Sequence, residues 1–174
     1  MVKEIMSWAI TITAAVVIAL LLKNFVIINA NVPSGSMENT IMTGDRLFGL
    51  RLAYVKDKPE RGDIIIFKYP DDETQNYIKR IIGLPGEIVV ISDAKVYIDG
   101  SEIPLEEDYL KEEWTIRTGP YTFEVPENSY FVMGDNRNNS EDARVWDNPY
   151  VSRDKILGKA GFRYYPIGTA GFIK

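Results

Sequence analysis

The chain has 174 residues, 45% of them hydrophobic and 26% charged, with a formal net charge of −5; that is enough for one packed domain plus an anchor and too apolar for wholesale disorder. It contains neither cysteine nor histidine, which excludes disulfides, thiolate zinc sites, cysteine nucleophiles, Ser-His-Asp catalysis and HExxH metal sites. The negative charge and the lack of a basic stripe argue against nucleic acid as a partner.

Residues Ile5 to Leu22 read IMSWAITITAAVVIALLL, a run without charge. About twenty apolar residues in a helix cross the hydrocarbon layer of a bilayer, and Trp8 and Lys23 stand where interfacial residues belong. A cleavable signal peptide ending near Ala30 is the competing reading, but its apolar core would span only about 7–15 residues. Residues 1–30 are therefore read as an uncleaved single-pass anchor and 31–174 as the folded domain. Lys3 precedes the span, whereas Asn29 to Asp45 holds no Lys or Arg. That asymmetry places the amino terminus in the cytoplasm and the remainder outside.

The rest of the chain reads as β. The stretches DIIIFKY (Asp63–Tyr69), YIKRII (Tyr77–Ile82) and EIVVI (Glu87–Ile91) are short, β-branched and bounded by Gly, Pro or Asp. KVYIDGSEI (Lys95–Ile103) predicts a hairpin turning at Asp99-Gly100. YTFEV and SYFVM flank Pro126-Glu127-Asn128 and predict another. Pro104 to Trp114 is acidic and reads as a turn or short helix; the polar region of about 93–120 reads as a small subdomain or flap. The fold class expected is a mostly β domain behind one N-terminal transmembrane helix.

Two patches and one strand carry candidate chemistry. VPSGSMENTI (Val32–Ile41) sets two serines around a glycine just past the apolar run. It reads as a linker or as a nucleophile with its surroundings. A hydroxyl attacks only once a base takes its proton, and no histidine is present to do so. Lys79 is the candidate base: on a strand it shares a face with Tyr77 and Ile81, and apolar surroundings depress a lysine pKa. Arg80 cannot serve, because a guanidinium does not deprotonate. The same pattern also fits a lysine snorkelling from an exposed face, and the residues alone leave both readings open. MGDNRNNSEDARVW (Met133–Trp146) is either a plain polar loop or a rigid one that positions a neighbouring group.

Taken in order, PSGSM, RGDIIIF, YIKRIIGLPGE and GDNRNNSEDAR behind an apolar anchor resemble the type I signal peptidases, the serine–lysine membrane proteases, in their compact Gram-positive-like form. The resemblance implies a signal-peptidase-like antiparallel β fold, Ser36 as nucleophile and Lys79 as general base. It implies that Ser34 donates to the oxyanion hole beside the Ser36 N–H, that Ser140 orients the Lys79 amine, and that Asp142 and Arg144 pair to stiffen their loop. Val32, Met37, Ile41, Tyr77 and Ile78 would line substrate pockets. Two positions depart from the pattern: Asn39 stands where proline is common, and Ala143 where serine is common.

The activity implied is a membrane-bound endopeptidase that cuts signal peptides from exported preproteins after small residues, in an Ala-x-Ala manner, with no metal or cofactor. Its partners would be preprotein signal peptides and the lipid bilayer; the oligomeric state is not legible. The alternatives are a non-catalytic membrane-anchored binding or assembly module and a self-cleaving serine–lysine peptidase.

Overall fold

A computed structural model of the protein describes residues 1–116 and 119–173. The first element is a helix, α1 (Val2–Leu21), followed by one π-helical turn at Leu22–Val26. The span Lys3–Val26 is long and apolar enough to cross a membrane, and none of its apolar window is buried against protein. A helix apolar all round with no protein partner needs an apolar medium. Directly after the π turn the backbone becomes extended, and Ile27 already pairs in the sheet. The last residues of the apolar segment thus lie within the β fold.

Every strand pairing is antiparallel. The large sheet takes β1 (Ile27–Asn31), β2 (Arg46–Leu50), β3 (Ile64–Tyr69), β4 (Asp72–Gly83), β8 (Ser129–Met133), β9 (Tyr150–Ser152) and β10 (Ile156–Tyr165) in the order β1-β2-β10-β3-β4-β8-β9, with β11 (Gly171–Phe172) on β10. A second sheet holds β5 (Ile88–Ser92) between β6 (Lys95–Ile98) and β7 (Tyr121–Glu124).

The β-branched runs form strands as expected, because their side chains fill a pleated, buried surface: Ile64 to Phe67 are all buried in β3, and Ile81 and Ile82 in β4. Both expected hairpins differ. The chain does turn at Asp99-Gly100, where Ser101 N–H reaches Ile98 O at 3.0 Å, but Ser101–Ile103, the expected returning half, forms no strand. The strand partner of β6 is β5, reached through Asp93-Ala94. Those two residues have φ of 49° and 58°, the left-handed pair that a two-residue hairpin needs. Likewise β7 pairs with β5, and β8 with β4 and β9. The Pro126–Asn128 turn therefore connects two sheets. The acidic segment Pro104–Trp114 forms bends and turns with no helix.

Two apolar cores result. The larger lies around Phe67, Ile81, Phe131 and Val132, and the smaller joins Val32, Met37, Ile41, Leu47, Ile64 and Ala160. Strand register then sets where the polar groups meet. Lys79 in β4 lies opposite Ile65 of β3, and Arg80 lies opposite Met133, the last residue of β8. The sheet thus delivers Lys79 and the loop after Met133 to the same end of the molecule.

Candidate active site

The loop between β1 and β2 is closed on itself. Val32 N–H reaches Asp45 O at 3.0 Å, Gly44 N–H reaches Val32 O at 2.8 Å, and Ile41 N–H reaches Met37 O at 2.8 Å. The Asp45 carboxylate accepts from Met42 N–H and from Arg163, each at 2.9 Å. Met37 and Ile41 are wedged into the smaller core. Ser36 therefore sits on a fixed loop.

Lys79 comes from β4, 43 residues away in sequence, and its Nζ lies 2.5 Å from Ser36 Oγ. Lys79 is only 4% exposed and Ser36 8%. Burial pushes the amine down from 10.5 to about 8. The carboxylate of Asp142 opposes this, Arg144 reinforces it, and Asp135 and Glu141 oppose it more weakly. Burial wins because a buried ammonium loses its hydration. Ser34 Oγ is 3.5 Å from Ser36 Oγ, and Ser34 is exposed.

The loop after β8 packs behind this pair. Asp142 is fully buried and accepts from Ser140 Oγ at 2.7 Å, from Gly134 N–H at 3.0 Å, and from Arg144 through Nε and Nη2 at 2.7 and 2.9 Å. Burial would raise its carboxyl, but these bonds and the Arg144 charge hold it below the usual carboxylate range. Arg144 also donates to Arg137 O and Ser140 O. Ser140 is thus placed as a partner of Asp142, and its hydroxyl makes no hydrogen bond to Lys79. That differs from the role the resemblance implied. Ala143 is 1% exposed within the larger core, so a serine there would bury its hydroxyl.

Several residues around the pair were not singled out from sequence. Gly134 is one: a Cβ there would meet Ser140 Oγ and the Ser36 carbonyl oxygen at 2.3 Å each, so only glycine allows the two loops this close. Asn136 N–H reaches Ser36 O at 3.0 Å and its side-chain Nδ2 reaches Gly35 O at 2.9 Å. Asp135 pairs bidentately with Arg80, at 2.9 and 2.7 Å, and accepts from Thr40 Oγ1 at 2.5 Å. The run of Gly, Asp and Asn after a strand was the available signal, but it does not say which residue reaches which partner.

The segment before β7 straps over both loops. Glu107 takes two bonds from Arg137, both side chains being nearly inaccessible. The Arg80 guanidinium stacks 4.0 Å over Tyr109. Lys111 pairs with Glu38 at 2.8 Å, and Asn39 Nδ2 donates to Tyr109 O at 3.1 Å. Asn39 has φ of 88°, a conformation closed to proline. At this position the chain trades a ring for a tether.

A groove of about 580 Å³ opens at Ser36 and Lys79. Its walls are β1 with the following Val32–Met37 and the outer half of β4 from Gln75 to Lys79. The expected pocket residues Val32, Met37, Ile41, Tyr77 and Ile78 all line it. Tyr77 is held from behind by stacking on Tyr69 at 4.4 Å and by the edge of Trp146. β1 is an edge strand, and β8 covers β4 only from Arg80 onward, so both walls present unpaired strand edges. Among the described residues no group of three or more acidic side chains converges to hold a metal ion.

A family model described as signal peptidase, peptidase S26, matches residues 5–165. Signal peptidase I of Leptolyngbya laminosa is 41% identical over 169 residues, which cover 92% of this chain and 80% of that protein. Probable signal peptidase I-2 of Synechocystis is 39% identical over 168 residues, covering 94% and 74%. Signal peptidase I S of Bacillus subtilis is 36% identical over 177 residues, covering 95% and 91%. The likeness runs through helix, nucleophile-like loop, lysine strand and final loop alike, and over so much of every chain that only one assignment fits: the protein belongs to the type I signal peptidases of the peptidase S26 family, enzymes that cleave signal peptides.

Proposed function

We propose that the chain cleaves signal peptides with Ser36 as nucleophile and Lys79 as general base. The observation that carries the reading is the buried 2.5 Å approach of Lys79 Nζ to Ser36 Oγ. With the amine lowered to about 8, an appreciable fraction is neutral near physiological pH. The neutral amine takes the Ser36 proton, and Oγ attacks the scissile carbonyl. The oxyanion is met by Ser36 N–H and the Ser34 hydroxyl; such preorganised donors are each worth about 3–4 kcal/mol in other serine hydrolases. The lysine, now charged, protonates the leaving amine. Neutral again, it activates the water that releases the acyl group from Ser36.

The preprotein enters as an extended segment between the free edges of β1 and β4, adding a strand to each. Small side chains before the scissile bond face the floor made by Met37, Ile41 and Ile78, where an Ala-x-Ala pattern fits and larger residues clash. Asp142 and Arg144 stiffen the loop behind the lysine, and Ser140 shares that duty through Asp142. The helix anchors the protein in the cell membrane with the amino terminus in the cytoplasm and the β domain on the extracytoplasmic face. Lys3 ahead of the uncharged run Ile5–Leu22 and the cation-free stretch Asn29–Asp45 support that orientation. Sharing the bilayer with a substrate's own apolar segment raises the effective concentration without any new contact.

The test is preprotein cleavage in detergent. Ser36→Ala and Lys79→Ala are each expected to abolish the shortened product. Lys79→Arg should fail as well, because it keeps the charge but cannot take a proton. Near-normal cleavage by either alanine variant overturns the assignment.

A further inference from the structure

We infer that Asn136 is a positioning residue for the oxyanion site: it aims the Ser36 N–H by holding the carbonyl of the preceding peptide. The inference rests on the reading of Ser36 as nucleophile and extends it to a residue from the opposite loop.

One peptide plane links the two groups. The Gly35–Ser36 bond is not among the cis peptides, so its C=O and N–H point in opposite directions. Fixing one fixes the other. Gly35 O accepts from Asn136 Nδ2 at 2.9 Å and from Glu38 N–H at 3.1 Å. The Glu38 bond closes a turn within the same loop and would move with it. The Asn136 bond spans 101 residues and ties the plane to a different element. Asn136 N–H also takes Ser36 O at 3.0 Å. The two peptides that flank the Ser36 Cα are thus both held by one residue.

The direction is right for chemistry. Gly35 and Ser36 line the groove, whereas Asn136 does not. Gly35 O is taken by Asn136, which lies outside the groove lining, and on this inference the Ser36 N–H, on the opposite edge of the same peptide plane, is set towards the groove. No acceptor among the described residues takes that N–H. Free donors are what a developing oxyanion requires.

Asn136 is 1% exposed, and its Oδ1 is buried with no partner. Turning the amide over would set that oxygen against Gly35 O. The orientation is dictated by the carbonyl it serves, at the expense of a buried acceptor left unpaired.

The experiment compares Asn136→Leu and Asn136→Ala with the unaltered full-length protein in detergent. Leucine has nearly the size of asparagine and removes the orphaned oxygen, while Glu38 N–H still satisfies Gly35 O. Its thermal midpoint is expected to match the parent or exceed it. Both variants should lose about ten- to hundredfold in kcat with KM little changed, since a donor is mis-aimed rather than deleted. The pH midpoint of kcat/KM should stay in place, because the lysine is untouched. A peptide aldehyde, which forms a tetrahedral adduct on a serine, should weaken in parallel with kcat, while a non-covalent product peptide binds as before. Unchanged kcat in Asn136→Leu overturns the inference, and so does equal weakening of both ligands. Retained cleavage by Ser36→Ala, run alongside, would instead remove the nucleophile assignment beneath it.

Discussion

Lys79 Nζ and Ser36 Oγ are hydrogen-bonded to one another inside the protein, in a place where neither side chain retains much contact with water. A charged amine donates in this pair; a neutral one accepts the hydroxyl proton. The position of the titration therefore decides which way the proton lies.

The first prediction is a pH dependence. With the amine lowered to about 8, kcat/KM should rise with pH through about 8 and level off above it. Stopped assays on a synthetic preprotein between pH 6 and pH 10 give the curve. A rate already level at pH 6, as a base titrating in the ordinary carboxylate range would give, overturns the lysine assignment.

The same displacement bears on stability. The unfolded chain titrates this amine at 10.5 and the folded one at about 8. Between those values the unfolded state binds more protons, so stability rises with pH across the window and is lowest below it. Holding Lys79 near neutral pH costs on the order of 3 kcal/mol. Lys79→Met should remove that cost and raise the thermal midpoint at pH 7 while abolishing cleavage. The gain should shrink towards pH 10.

Asn39 gives a prediction that inverts the family resemblance. The resemblance implies a proline at that position, yet here φ is 88° and proline is confined near −65°. Asn39→Pro is expected to destabilise the protein by about 1–3 kcal/mol and to reduce turnover. Asn39→Gly, which keeps the φ and loses the tether to Tyr109 O, should cost under about 1 kcal/mol. Thermal scans of the two variants settle the order.

Asp142 is the acid-sensitive group. Its carboxyl is held low by Arg144 and its other donors against the pull of burial, so the stability it contributes is present above the ordinary carboxylate range and is lost as pH falls below it. Asp142→Ala leaves the Arg144 guanidinium buried without its carboxylate and should cost about 3–5 kcal/mol. Denaturant midpoints at pH 7 and pH 2 measure both effects; Ser140→Ala, which removes one bond of several, should cost about 1 kcal/mol.

Legibility from the sequence tracks the range of the physics. The apolar run, the strands over Ile64–Tyr69 and Ile88–Ser92 and the turn at Asp99-Gly100 are local, and each was legible from residue type. Strand partners were not. Asp99-Gly100 looked like the hairpin turn, but Asp93-Ala94 took that place, and nothing in Asp-Ala advertises a left-handed pair. β1 and β2 escaped because Ile27–Asn31 reads as the end of an anchor and RLFGL is short. In the site, Ser36 and Lys79 were singled out by resemblance, but no local signal says that they touch, since 43 residues separate them. The Glu107–Arg137 pair and the Asn136 tether had no local signature at all. Such links exist only once the β8 loop, the strap and the nucleophile loop have met.

The junction between the helix and β1 carries a consequence for which bonds can be cut. Only the π turn separates the apolar helix from the strand that walls the groove, and Ser36 follows Val26 by ten positions. Even a fully stretched chain of that length reaches about 35 Å. On the proposed reading of Ser36 the attacking alcohol works on a short leash from the lipid, and a preprotein whose scissile bond lies farther than that from its own hydrophobic stretch is expected to resist cleavage. The join acts as a ruler, and lengthening it by a few residues should move the permitted cleavage height outward.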